Sequence, residues 1–150
     1  DKTDFLKQIL KNAKPGAHIW IVHRNDLFNL FALNEGTLNF FMMHFLTHLQ
    51  ERDKKEVQHE LLSLFPEFGA AIKKDGGLPK PYENPFTIHE LYESLGFKVQ
   101  NIHYTYIHPT PPRLNKAFDE PTYATLQKSF GQKWIGAFLG SQFIIHARCP

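Results

Sequence analysis

The chain has almost no cysteine, no long apolar run and almost no net charge, and each shortage removes a class of function. Cys149 is the one cysteine among 150 residues. A disulfide framework and a cysteine-based zinc site are therefore excluded, which suits a reducing compartment, with the cytoplasm as the default. No apolar stretch approaches the roughly 20 residues that a membrane span requires. The opening residues, DKTDFLK, are charged where a secretory signal would carry a basic start and then a long apolar core. Seventeen basic residues against fifteen acidic ones leave a net charge of +2. That balance is too weak and too dispersed to point to nucleic acid. What is present is ordinary for a soluble domain: 42% hydrophobic and 21% charged residues, enough for one domain or a large part of one.

Patterning along the chain alternates helices and strands. Phe5, Leu6, Ile9, Leu10 and Ala13 recur at helical spacing until Pro15 and Gly16 stop the helix. Ile19, Trp20, Ile21 and Val22 follow in succession, which predicts a strand over 18–23 covered on both faces, as in a parallel sheet. After a loop or short helix, Thr37 is placed to cap a helix over 38–49 whose Leu38, Phe41, Met42, Phe45, Leu46 and Leu49 fill one face. A polar break over 50–55 precedes a helix carrying Val57, Leu61, Leu64 and Phe65, ended by Pro66. A weaker helical turn through Phe68, Ala71 and Ile72 and a loop rich in glycine and proline, over 75–85, come next. Thr87 with Glu90 has the spacing of a capping box, and Phe86 with Leu91 that of a hydrophobic staple. Gly96 ends that helix before a long strand over 98–108, with Ile102, Tyr104 and Tyr106 on one side. The last strand covers 142–148, and the gap of about thirty residues before it is too long for a hairpin, which predicts a lid or packed excursion.

Three stretches carry a family likeness. Residues 9–17 read ILKNAKPGA before the first strand, 86–91 read FTIHEL and 95–97 LGF before the second, and the last strand reads FIIHAR. Together they resemble the C-terminal half of a class I S-adenosylmethionine-dependent methyltransferase. In that family a helix ending in L-K-P-G-G leads into the fifth strand, F-T-x-x-E-L-x-x-L-x-x-x-G-F precedes the sixth, and the seventh often ends in Ala-Arg or Ala-Lys. Ala17 stands where the first pattern has its final glycine, and the helix of the second is slightly shortened.

The resemblance implies an α/β fold, the C-terminal part of a Rossmann-like seven-stranded sheet with its last strand antiparallel. Residues 26–85 and 109–141 would then be cap or lid insertions. It implies S-adenosylmethionine as cofactor, bound mainly by an N-terminal half whose Gly-rich loop and ribose-holding acid would lie upstream of Asp1, so that this segment alone would be inactive. The implied reaction is O-methylation of a small-molecule acceptor.

Open α/β sheets bind ligands at the carboxyl ends of their strands. His23, Arg24 and Asn25 leave the first strand there, His23 as a candidate base and the other two as acceptor contacts. The competing reading is a buried, hydrogen-bonded strand end with Arg24 as a surface ion-pair partner. Tyr106 and His108 run out toward the end of the second strand, where an acceptor pocket or an aromatic face packed on a helix is expected. Tyr82 and Asn84 lie in a loop able to fold over the same pocket. His44 and His48 are four apart, but Phe45 stands where a zinc-binding H-E-x-x-H has its glutamate, so no metal is expected. A different class of function stays open: a non-catalytic interaction or oligomerisation module, in which helix 38–49 docks on a partner, or on a second copy, that carries the rest of the sheet.

Overall fold

The turn through Lys14, Pro15 and Gly16 decides where the first strand begins. Gly16 adopts φ +76°, a left-handed conformation that favours glycine, and its N–H donates to the Cys149 carbonyl at 3.2 Å. The chain is thereby turned to lie beside its own last strand. The computed structural model describes residues 2–64, 66, 82–112, 114 and 119–150.

The elements are α1 Lys2–Asn12, β1 His18–Asn25, α2 Phe28–Ala32, α3 Glu35–Phe40, a π turn Phe41–Phe45, a 3-10 turn Leu46–His48 and α4 Glu51–Leu64, followed by β2 Tyr82–Glu83, α5 Ile88–Ser94, β3 Lys98–Ile107, α6 Glu120–Phe130, α7 Gly136–Leu139 and β4 Gly140–Arg148. The fold is α/β, with one four-stranded mixed sheet in the order β2-β1-β4-β3. β2 runs parallel to β1, and β4 runs antiparallel to both β1 and β3. β1 and β3 therefore share a direction, and their carboxyl ends, Asn25 and Ile107, lie at one edge with Gly140 at the start of β4.

Register explains the core. His23, Phe143 and Tyr104 form one row across β1, β4 and β3, and Ile21, Ile145 and Ile102 form the next. This face packs with Leu6 of α1, Ile88 and Tyr92 of α5, and Ala137 of α7. Side chains alternate across a strand, so the opposite face carries His18, Trp20, Val22 and Arg24, all exposed. Trp20 is 61% and Val22 58% exposed, which corrects the expectation of a strand covered on both faces. Trp20 is accommodated there by stacking on His146, with ring centroids 4.6 Å apart and planes 6° from parallel.

Other expectations are also revised. The continuous helix over 38–49 is instead α3, a π turn and a 3-10 turn. It starts earlier because Asn34 is the cap: its side chain accepts from the Gly36 N–H at 2.8 Å, and its N–H donates to Thr37 Oγ1 at 3.2 Å. α4 begins at Glu51, inside the expected polar break, and none of its described residues is buried. Thr87 makes no side-chain capping bond. Asn84 takes over, its carbonyl accepting from the Thr87 and Ile88 N–H groups. The helical turn expected through Phe68, Ala71 and Ile72, the helix end at Phe65 and the loop up to Pro81 lie outside the described residues.

Gly136 is a close approach that no larger residue allows: a Cβ there would lie 2.5 Å from the Phe130 carbonyl oxygen and 2.8 Å from the Tyr104 ring. Overpacking of this kind costs about 1–3 kcal/mol. Gly136→Ala is therefore expected to lower unfolding free energy by that amount in a urea titration, and an unchanged midpoint would contradict the packing.

Candidate functional site

The common carboxyl edge of β1 and β3 is built on Asn25. Its side chain is fully buried, and its Nδ2 donates to the Ala137 carbonyl at 2.6 Å and the Gly140 carbonyl at 2.7 Å. Its Oδ1 accepts from the Leu27 N–H at 3.1 Å. Both amide protons are used, so Asn25, expected to contact acceptor, is instead an anchor that ties the end of β1 to α7 and the start of β4. The loop beyond it is equally closed. Asp26 accepts from Asn29 Nδ2 at 3.1 Å and lies 2.7 Å from His44 Nε2.

His23 lies on the covered face of the sheet. Its Nε2 is 2.7 Å from the Tyr92 hydroxyl, its ring stacks on Phe143 at 5.2 Å, and it meets Tyr92 edge-on. This is the hydrogen-bonded strand end of the competing reading. Burial pushes its pKa below the ordinary value of 6.5, with Glu83 opposing and Lys2 adding to the shift. Glu83 is itself paired with Lys2. Burial also raises the Tyr92 phenol far above its usual range, so the pair is a neutral imidazole and a neutral phenol near pH 7.

Arg24 and Tyr82, both proposed from sequence, are brought together by the β1–β2 pairing. The guanidinium lies over the Tyr82 ring, 5.8 Å from its centroid, a cation–π contact on the exposed side of the sheet. Asn84 is spent locally, its Oδ1 accepting from the Phe86 N–H at 2.9 Å. His108 packs its ring against Phe28, 4.9 Å between centroids, and its N–H donates to the Leu139 carbonyl at 2.9 Å.

Tyr106 departs most from expectation. Alternation along the strand puts it on one side with Ile102 and Tyr104, but it takes φ +51° and turns outward, 67% exposed, between buried Tyr104 and Ile107. A left-handed conformation is costly for a residue with a Cβ. Gln127 of α6 braces it from outside the sheet: its Nε2 donates to the Tyr104 carbonyl at 2.6 Å, and its Oε1 accepts from the Ile107 N–H at 3.3 Å. Between this left-handed residue and α6 opens a cleft of about 550 Å³, lined by Tyr106, Ile107, Glu120, Tyr123, Ala124 and Gln127 among others. Sequence reasoning missed Glu120 and Gln127. A signal was there, since 120, 123, 124 and 127 fall on one helical stripe behind the Asp119 cap.

Three groups of sequence-proposed residues thus separate. Arg24 with Tyr82 lies on the open face, His23 on the covered face, and Tyr106 near the carboxyl end of β3. His44 is engaged with Asp26, and among the described residues no three His, Cys, Asp or Glu side chains gather as a metal site needs. No helix among them is long and apolar enough to cross a membrane. The turn after β1 carries no glycine, and its polar groups are engaged with one another and with α7. The sequence matches no protein-family model, and no curated protein matches it.

The His23 shift has a defined sign. Unfolded His23 takes a proton near pH 6.5 and the folded form only at lower pH, so stability from the neutral ring is complete above about pH 6.5 and is lost as pH falls below it. Melting temperatures at about pH 7.5 and about pH 5.5 are expected to differ more for the native chain than for His23→Gln; equal differences would show that His23 does not carry the effect. The strain at Tyr106 makes a second prediction. Tyr106→Gly is expected to leave stability unchanged or raise it by up to about 1–2 kcal/mol, and a large loss in denaturant titration would show that the side chain serves packing.

Proposed function

We propose that this chain forms the acceptor side of an S-adenosylmethionine-dependent methyltransferase acting, by O-methylation, on a small molecule. The observation that carries the reading is the direction of β4, which lies antiparallel between β1 and β3 while those two run parallel. A reversed last strand is what the family likeness of the LKNAKPGA, FTIHEL and HAR stretches implies. The order of helix and strand around it agrees with a Rossmann-like sheet, of which β1, β3 and β4 would be three strands of seven, with β2 added from the cap segment. The cofactor would be held by other residues, in an N-terminal half or on a partner or second copy, in keeping with the closed turn after β1. The segments between β1 and β2 and between β3 and β4 would serve as cap and lid, and the protein would act in the cytoplasm.

Within this reading each placed residue has a task. Arg24 and Tyr82 present a charged, aromatic contact, Tyr106 and His108 stand at the far end of the edge, and His23, hydrogen-bonded to Tyr92, holds the end of β1. Asn25 and Asn84 hold the loops that carry them. A second reading, an interaction module, is favoured by the open sheet face at Trp20 and Val22 and by exposed Met43 and Phe45.

The test is calorimetric titration of S-adenosylmethionine into the full-length native product that contains this segment. Saturable one-to-one binding supports the proposal, and no binding overturns it in favour of the interaction module. In the same protein Arg24→Ala is expected to weaken acceptor affinity by about 2- to 30-fold, the range of a cation–π contact, and unchanged affinity and turnover would remove Arg24 from the site.

A further inference from the structure

We infer that the cleft between the Tyr106 end of β3 and α6 is a recognition site for an organic ammonium, the charged end of a small amine with an apolar body. Place, strain and charge each point there. The cleft opens at the carboxyl end of β3, the edge of an open α/β sheet at which ligands are bound. Its volume of about 550 Å³ lies within the range of small-molecule sites.

Strain singles out Tyr106. The residue is 67% exposed, so core packing does not repay its φ of +51°. The conformation is nevertheless held by both ends of the Gln127 amide, on the carbonyl before it and the N–H after it. A braced, strained aromatic that packs on nothing interior is the arrangement of a ligand clamp. Tyr123 adds a second aromatic side chain to the lining, with Ile107 and Ala124 as apolar wall.

Charge selects the ligand. Glu120 is the one charged residue among the described residues lining the cleft, and aromatic faces add negative quadrupole potential. A carboxylate with two tyrosines repels anions and offers a cation both a counter-charge and π faces. A neutral ligand of the same shape would gain only the apolar wall. Taken with the proposed function, and resting on it for this step alone, the acceptor carries an ammonium as a handle, and the methylated oxygen lies elsewhere on the molecule.

The experiment titrates 2-phenylethylammonium and its neutral isostere 2-phenylethanol into the full chain, followed by backbone NMR. Shifts confined to Tyr106, Glu120, Tyr123 and Gln127, with the ammonium bound at least about 5-fold more tightly than the alcohol, are expected. Glu120→Gln, an exposed substitution that leaves the fold intact, should abolish that preference, and Tyr106→Gly should weaken both ligands. Equal affinity of the two probes, shifts elsewhere, or an unchanged preference in Glu120→Gln would overturn the assignment. Binding here is independent of the cofactor: failure of S-adenosylmethionine to bind the full-length product leaves this site standing, and failure of the amine leaves that titration unaffected.

Discussion

The structure depends on one buried amide. Asn25 ends β1 with a side chain that is fully enclosed and makes three hydrogen bonds, to the Ala137 and Gly140 carbonyls and from the Leu27 N–H. Each buried polar group left unpaired costs about 1–3 kcal/mol, so the three partners hold one another in place. Through them the end of β1, the helix α7 and the start of β4 form a single rigid edge. β3 joins it where Ile107 pairs with Gly140, and the His108 N–H reaches the Leu139 carbonyl. Arg24, Tyr106 and His108, proposed to meet ligands, stand on or beside that edge.

A rigid mount permits a strained one beside it. The Gln127 amide braces the backbone around Tyr106 against α6, and α6 covers the outer edge of β3 there, which would otherwise offer unpaired backbone groups. On the covered face, His23 and Tyr92 share a hydrogen bond inside the core, and burial holds both neutral. The opposite face is left open, with Trp20 stacked on His146. The sheet thus has a closed side that supplies stability, an open side that carries Arg24 and Tyr82, and an end that carries the cleft.

Much of the framework was legible from local chemistry. The Pro15-Gly16 stop, the strand through Ile19 to Val22, the helix before Gly96 and the last strand through Phe143 to Ala147 all stand where periodicity and turn residues put them. Long-range contacts were not legible. Nothing local says that Asn25 meets the Ala137 carbonyl 112 positions away, so a polar strand end read as a ligand contact. Tyr106 kept its apparent alternation because backbone handedness leaves no trace in a pattern of apolar residues. Two-residue β2 exists only through its pairing with Arg24 and Asn25. Thr87 and Glu90 had the spacing of a capping box, but Asn84, three residues earlier, offers the better acceptor.

The central claim, that Asn25 makes the ligand edge rigid, is tested most directly by native-state amide hydrogen exchange in the native chain and in Asn25→Ala. Loss of buried hydrogen bonds worth about 1–3 kcal/mol corresponds to about 5- to 150-fold faster exchange. The account predicts that acceleration at Leu27, His108 and neighbouring amides of the edge, with Ile21 and Ile145 in the sheet centre changed much less. Uniform acceleration through all four strands, or none at the edge, would contradict it.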